Sequence, residues 1–324
     1  MRHAIAVLTL LTLCAAAWHA DAGTVFDRVK ARGAVQCGSF ERPGLAQQDD
    51  DRHWSGLNVD VCRAIAVAVL GSAEKIAFHG YATPPELALL SQGGDDVSFL
   101  TGREIAENDL SGRIVPGPPV FVESHAVMVP AKAKERTLAE LAGDGGICFM
   151  SGSPVEHSLP AYFGALNKPW RPVPYSEDGE MIDAYNVQQC HAIAYELTTL
   201  ATVFQDRGVN RMSSRILAEP LVVYPVIAAT GTADAQWSAL VAWTVDSLIV
   251  ADRPDTRWVV GGVKSMPAPL RELGLDKEWQ TRVVAAIGTY RDIFDRNLGA
   301  KSSLKLSRDA DRISRGGLSF PFIE

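Results

Sequence analysis

The sequence predicts an α/β protein of two lobes joined by a hinge of two crossing strands. Three features carry this expectation. A chain of 324 residues is long for one hydrophobic core and comfortable for two. Strand and helix signals alternate in two separate series, the mark of open and mostly parallel sheets. Two long β-rich runs without helical period, residues 120–129 and 221–229, lie between and after the series and read as chain crossings between lobes.

The first series opens with residues 24–36, which read as a short helix and then a strand, Ala34-Val35-Gln36-Cys37. Asp49, Asp50 and Asp51 follow in a turn-rich loop, adjacent rather than spaced as calcium ligands are, so they read as a solvated turn. Residues 58–70 show helical spacing of Val61, Ile65 and Val69. Ile76-Ala77-Phe78 is a strand. Thr83-Pro84-Pro85-Glu86 then has the form of a capping box that opens a helix ending at Gly93-Gly94. Residues 95–100 close the series as a strand.

The second series begins with Thr137 and Glu140, which cap a short helix. The Gly143–Gly146 cluster reads as a loop before the strand Gly146-Ile147-Cys148-Phe149-Met150. Ser153-Pro154-Val155-Glu156 is a second capping box, opening a helix through Tyr162. A strand returns at residues 190–195. Beyond the second crossing, residues 234–251 form an amphipathic helix with Asp234 as N-cap and a core stripe of Trp237, Leu240, Val241, Thr244 and Leu248.

The N-terminus reads as an export signal. Arg2 supplies the positive start, residues 4–18 are apolar, and Ala20-Asp21-Ala22 is a cleavage site. The apolar run is too short to span a bilayer comfortably. Leu13 stands where a lipoprotein signal before Cys14 wants a small residue. Cleavage after Ala22 leaves four cysteines, Cys37, Cys62, Cys148 and Cys190, an even number expected to form two disulfides outside the cytoplasm. Three connectivities exist. Cys37–Cys62 with Cys148–Cys190 is the one that closes each bridge inside one lobe. No C-x-x-C spacing favours zinc.

Composition limits the function classes. The chain is 47% hydrophobic and 21% charged with a net charge of −7, which argues against disorder and against a nucleic-acid surface. No nucleophile elbow, zinc-protease motif or phosphate-binding loop occurs. His53, His79, His125, His157 and His191 are scattered without spaced partners. No cofactor, metal site or catalytic residue is expected.

Cys37-Gly38, then Trp54-Ser55-Gly56-Leu57-Asn58-Val59-Asp60-Val61-Cys62-Arg63-Ala64, resembles the first lobe of the general L-amino-acid-binding proteins of ABC transporters, in solute-binding family 3. Ile293-Phe294-Asp295-Arg296-Asn297-Leu298-Gly299, Leu304-Lys305-Leu306 and Gly316-Gly317-Leu318 agree, and the resemblance covers most of residues 24–324. It implies the periplasmic-binding-protein fold of type II, the Venus flytrap. Residues 23–123 and 221–324 would build lobe 1 and residues 124–220 lobe 2, after a signal peptide at 1–22. The protein would be a periplasmic monomer that closes around a small polar solute, an amino acid or a relative, and delivers it to an ABC permease in the inner membrane.

A buried zwitterion needs both charges paired, the ammonium by a carboxylate and the carboxylate by an arginine fork or by hydroxyl and backbone donors. On the positions the resemblance implies, Glu196 stands where aspartate is usual. Ser153 keeps one hydroxyl at the helix start, where Pro154 removes an N–H donor. Asn108 replaces the clamping arginine, Arg103 stands five residues earlier in place of threonine, and Thr101 remains a polar contact. Arg103 either turns inward to replace the missing charge or pairs locally with Glu104 or Glu107. Two other readings use the same fold: a sensor or accessory factor, and an enzyme resembling periplasmic cyclohexadienyl dehydratase. The acid–base grouping to examine for the enzyme is Glu196 with His157 or His191.

Overall fold

A computed structural model describes residues 25–82, 86, 88–108, 112–205, 213–232, 234–252 and 275–308, with the side chains of Ser91 and Asn108 outside that description. The signal peptide, Cys14, the Thr83 cap and Gly316-Gly317-Leu318 lie outside the described residues. The elements are α1 (Val25–Arg32), β1 (Val35–Phe40), β2 (Gln47–Gln48), β3 (Trp54–Ser55), α2 (Leu57–Leu70), β4 (Ile76–Tyr81), α3 (Ala88–Gln92), β5 (Val97–Thr101) and α4 (Gly102–Asn108). They continue with β6 (Ile114–Val115), β7 (Pro119–Pro130), a 3-10 turn (Leu138–Leu141), β8 (Gly143–Met150), α5 (Pro154–Ala165), β9 (Trp170–Tyr175), α6 (Asp178–Asn186), β10 (Ala192–Glu196) and α7 (Leu197–Gln205). The last are β11 (Ser214–Ile216), β12 (Val222–Gly231), α8 (Ala235–Val250), α9 (Trp279–Ile287) and α10 (Tyr290–Asn297).

One continuous sheet runs β4-β1-β5-β12-β7-β10-β8-β9. Its outer thirds are parallel: β1 pairs with β4 and β5, and β8 with β9 and β10. Its middle is antiparallel, with β12 against β5 and β7, and β7 against β10. The two β-rich runs of the sequence are therefore the two strands that carry the chain between lobes. Each is long enough to serve both sides: β12 pairs with β5 through residues 226–229 and with β7 through residues 222–227.

The cores follow the same division. One cluster unites residues of α1, β1, α2 and β5 with α8, α9 and α10, so both ends of the chain build it. The motifs at residues 54–64 and 293–299 meet within it. Asp60 accepts hydrogen bonds from Arg296 Nε at 2.7 Å, Asn297 Nδ2 at 2.6 Å and Arg63 Nη1 at 3.0 Å. Two further clusters lie on the two faces of the β8–β10 sheet and draw mostly on residues 126–217. The stripe Trp237, Leu240, Val241, Thr244 and Leu248 is buried, and Asp234 caps α8 by accepting from the Trp237 N–H at 2.9 Å. Trp237 also donates its indole N–H to the Asp96 carbonyl, fixing α8 against the end of β5.

Two local expectations need correction. Residues 143–146 are not a loop, since β8 already begins at Gly143. Ser153 occupies the N-cap position of α5, but its hydroxyl donates to the Met150 carbonyl at 2.6 Å instead of accepting from the helix. Glu156 still reaches back, to the Gly152 N–H at 2.7 Å. Pro154 at the first helical position already removes one of the donors a cap would have satisfied.

Cys37 bonds to Cys62 and Cys148 to Cys190, closing separations of 25 and 42 residues. Both pairs are buried, the first joining β1 to α2 and the second joining β8 to the turn before β10. Loop closure of these lengths gives each bridge roughly 3–4 kcal/mol. Replacing either pair by alanine is expected to lower the denaturation free energy by about that amount, measured by urea titration. Intact mass with and without reductant should show two bridges and no free thiol in exported protein.

Candidate ligand-binding site

Charged and hydroxylated side chains from both lobes converge on the crossing strands. On the first-lobe side the decisive group is Arg42, which follows β1 in a tight loop. Its carbonyl accepts from the N–H groups of Leu45 and Ala46, and its own N–H donates to the Ala46 carbonyl. Gly44 takes a positive φ of 72° in this turn, where an added Cβ would lie 2.5 Å from the Leu298 side chain of the residues after α10. The loop is thus pressed against lobe 1, and the Arg42 guanidinium is presented to Glu104 on α4, 2.5 Å away. Glu104 is shared: its other oxygen accepts from the Thr101 N–H at 2.7 Å, while Thr101 Oγ1 accepts from the Glu104 N–H. Thr101 therefore starts α4 through a capping box, a reciprocal arrangement that holds the end of β5 rigid.

Arg42 is the best-placed cation. Burial opposes its charge, yet Glu104, Tyr224 and Glu196 outweigh that and hold the guanidinium above its ordinary value. Its Nη1 is buried and makes no hydrogen bond to a protein group. Arg103, by contrast, is exposed and donates from Nε to Glu107 at 2.6 Å on its own helix. Asn108 is the last residue of α4.

On the second-lobe side, Glu196 ends β10 opposite His125 of β7. Glu196 is 23% exposed, and burial pushes its carboxyl up; Arg42 opposes the rise and Glu104 adds to it. His125 is fully buried, with its Nε2 3.8 Å from Glu196. Burial, with help from Arg103 and Arg42, lowers its imidazole to about 4, so it is neutral at neutral pH. Its ring lies 5.4 Å from that of Tyr224 on β12, whose hydroxyl is pushed up by burial and by Glu123 and Glu196.

Glu123 lies beneath this group with no solvent exposure. One oxygen accepts from the Ser124 N–H at 2.9 Å and the other from the Thr198 hydroxyl at 2.7 Å, in the first turn of α7. Burial dominates over both bonds and pushes the carboxyl up to about 7. Strand alternation explains the gathering. Glu123 and His125 share one face of β7, and Tyr224 joins them from β12.

The acid–base grouping Glu196 with His157 or His191 is not assembled. His191 pairs with Glu135 at 3.2 Å, and His157 is exposed on α5. The histidine beside Glu196 is His125, which no local spacing in the sequence distinguished. The sequence did not single out Arg42, Glu123 or Tyr224, and it marked Glu104 only as a local partner of Arg103. Arg42 and Glu104 are 62 positions apart, and only the fold brings them together.

These are the features of a flytrap hinge with a polar cleft, and the comparisons agree. The general L-amino-acid-binding periplasmic protein AapJ of Rhizobium johnstonii is 28% identical over 318 residues, covering 93% of each chain. The chain is homologous to the periplasmic solute-binding proteins of ABC transporters. A putative amino-acid ABC transporter-binding protein of Escherichia coli, YhdW, is 25% identical, covering 95% of this chain and 94% of its own. Among solved structures, an ABC transporter periplasmic binding protein from Brucella ovis with glutathione bound superposes with a TM-score of 0.73 at 28% identity, covering 92% of this chain and 98% of its own. The cysteine-binding protein of Campylobacter jejuni shares the fold at a TM-score of 0.53 and 17% identity, covering 89% of this chain and 98% of its own. No protein-family model matches the chain. The fold is the two-lobed periplasmic-binding-protein fold of type II.

The buried Glu123 gives a pH prediction. Its folded-state value stands above the unfolded one, so between about 4.5 and 7 the folded protein holds a proton that the unfolded chain has released. Stability from this group is largest below that window and falls as pH rises through it. Glu123→Gln removes the fall. Melting curves at pH 5, 6.5 and 8 should show wild type losing stability relative to the variant, by up to roughly 3 kcal/mol. Contributions of other groups cancel in the difference.

Proposed function

We propose that the chain is the substrate-binding component of an ABC-type importer whose solute is an amino acid or an amino-acid-derived molecule bound between the lobes. The observation that carries this is the opposition of Arg42 and Glu196 across the crossing strands. Each senses the other's charge, and Arg42 keeps a buried, unused Nη1. A ligand carboxylate takes that donor, and a ligand ammonium takes Glu196, so both charges leave water with a partner. Thr101, Asn108 and Ser153 serve as neutral polar contacts. Arg103 stands at the mouth, where its exposed pair with Glu107 holds it by only about 0–1 kcal/mol and can be exchanged for a ligand. The relatives named for amino acids and the neighbour carrying glutathione support this ligand class. They are binding proteins, and this chain is read as a binding protein and not an enzyme.

Lobe 1 is read as residues 23–123 and 221–324 and lobe 2 as residues 124–220. The mature protein is a periplasmic monomer, released from its signal peptide after Ala22, that engages a permease in its closed form.

The test is a thermal-shift screen of L-amino acids, glutathione, dicarboxylates and polyamines. A ligand at about 100 times its Kd stabilises by roughly 2.7 kcal/mol. An amino acid or glutathione is expected to shift the melt; a response to dicarboxylates or polyamines alone rejects the ligand class. Calorimetry with the best ligand should show Arg42→Ala weakening binding by about 10- to 150-fold, the worth of a charge-assisted bond of roughly 1.5–3 kcal/mol. Arg103→Ala should weaken it less. Small-angle scattering should show the radius of gyration falling at saturation, as hinge closure requires.

A further inference from the structure

Glu104 touches the cation to which the proposed function assigns a ligand carboxylate. Its Oε1 lies 2.5 Å from Arg42 Nη2, and the side chains of Arg42 and Glu104 are only 15% and 18% exposed. The contact is fixed from both sides. Glu104 Oε2 accepts from the Thr101 N–H at 2.7 Å, and the Glu104 N–H donates to Thr101 Oγ1 at 3.2 Å, so the carboxylate is held in the first turn of α4. The Arg42 guanidinium lies over the Phe40 ring, 5.9 Å from its centroid. One terminal nitrogen of Arg42 is thus taken by Glu104, and the other, Nη1, is the buried donor without a protein partner.

The charges around Arg42 separate one amino acid from another. A single cation stands among two carboxylates, Glu104 in contact and Glu196 within range of its charge. Burial pushes the Glu196 carboxyl up, Arg42 opposes the rise and Glu104 adds to it, so the Glu104 charge is felt at both groups that would hold a zwitterion. A ligand carboxylate on Nη1 becomes the third negative group around this cation, and the ligand ammonium at Glu196 offsets one of the three. A side-chain carboxylate would be a fourth. Arg103, the other cation acting on this group of residues, is 42% exposed and already paired with Glu107. A neutral or cationic side chain meets no such repulsion.

We propose that Glu104 is a specificity-determining residue: by sharing the Arg42 guanidinium, it ranks amino acids with neutral or cationic side chains above the acidic ones. This rests on the proposed binding of the ligand carboxylate at Arg42.

Calorimetry on the whole mature protein tests it, either directly or in competition with the best ligand of the thermal screen. L-glutamine is compared with L-glutamate, two solutes of nearly the same shape that differ by one charge. Wild type should bind glutamine at least about tenfold more tightly, a factor equal to the repulsion of unit charges roughly 12 Å apart at an effective dielectric constant of about 20. Glu104→Gln should move that ratio toward glutamate by at least about tenfold. Glu104→Asp, which keeps the charge, should stay nearer the wild-type ratio. A purely structural ion pair would weaken both solutes alike and leave the ratio where it was. An unchanged ratio in Glu104→Gln overturns the proposal. So does a wild type that binds glutamate as tightly as glutamine, whether or not the variant folds. Amino acids that bind in the wrong rank remove this inference and leave the proposed function standing, whereas a screen in which neither an amino acid nor glutathione shifts the melt rejects both.

Discussion

The antiparallel pairing of β7 with β12 is the constraint on which the rest of this protein depends. It is the place where two parallel half-sheets become one sheet, and every path of hydrogen bonds from β4 to β9 passes through it. Because side chains alternate along a strand, a one-residue slip would exchange Glu123 and His125 for Ser124 and Ala126. The register is held from outside the pair. The Tyr290 hydroxyl donates to the Val120 carbonyl at 2.8 Å, and the Thr198 hydroxyl donates to Glu123 at 2.7 Å, so α10 and α7 both hold the first part of β7.

The two lobes are built by the same chemistry but tied differently. Lobe 1 is closed by contacts of very long sequence separation: Asp60 with Arg296 and Asn297, and the Val25 N–H with Asp234. Its stability therefore depends on both ends of the chain being present together. The core of lobe 2 is drawn mostly from a single uninterrupted stretch, and its bridge Cys148–Cys190 fixes the turn before β10 that aims Glu196 at the hinge. One bridge stiffens the strand before the Arg42 loop and the other the strand before Glu196.

The alternation of strands and helices and the two crossing runs were legible in the sequence because they are written in local period; the order of the strands in the sheet was not. The β-rich runs at 120–129 and 221–229 lacked any helical spacing, and the stripe from Trp237 to Leu248 could only be one helix face. The candidate binding groups were less legible. Arg42 sits in a loop with no period at all, and its value comes from Glu104, a residue that reads as an ordinary first-turn acid of α4. Arg103 stands near the position where the resemblance implies an arginine, yet Glu107 lies one helical turn away and takes it. Ser153 had the right residue type for a cap, but Met150 offers its hydroxyl a carbonyl three positions back. Sequence spacing finds partners on one element; it is silent where partners come from different elements.

On the proposed function, the electrostatics between the lobes favour a zwitterion over a simple ion. Arg42 pairs with Glu104 and also acts on Glu196 through its charge, and a neutral His125 stands beside Glu196. A dicarboxylate would meet Glu196 with repulsion in a site where burial already raises that carboxyl. A bare amine would satisfy Glu196 and leave Arg42 Nη1 without a partner, a cost comparable to an unmade hydrogen bond of a charged group. A molecule that carries both groups meets neither penalty. Glu123, protonated up to about neutral pH, can sit beneath this pairing without adding a second negative charge. On the proposed function, the burial that disfavours its ionisation also favours a ligand with an ammonium and a carboxylate together.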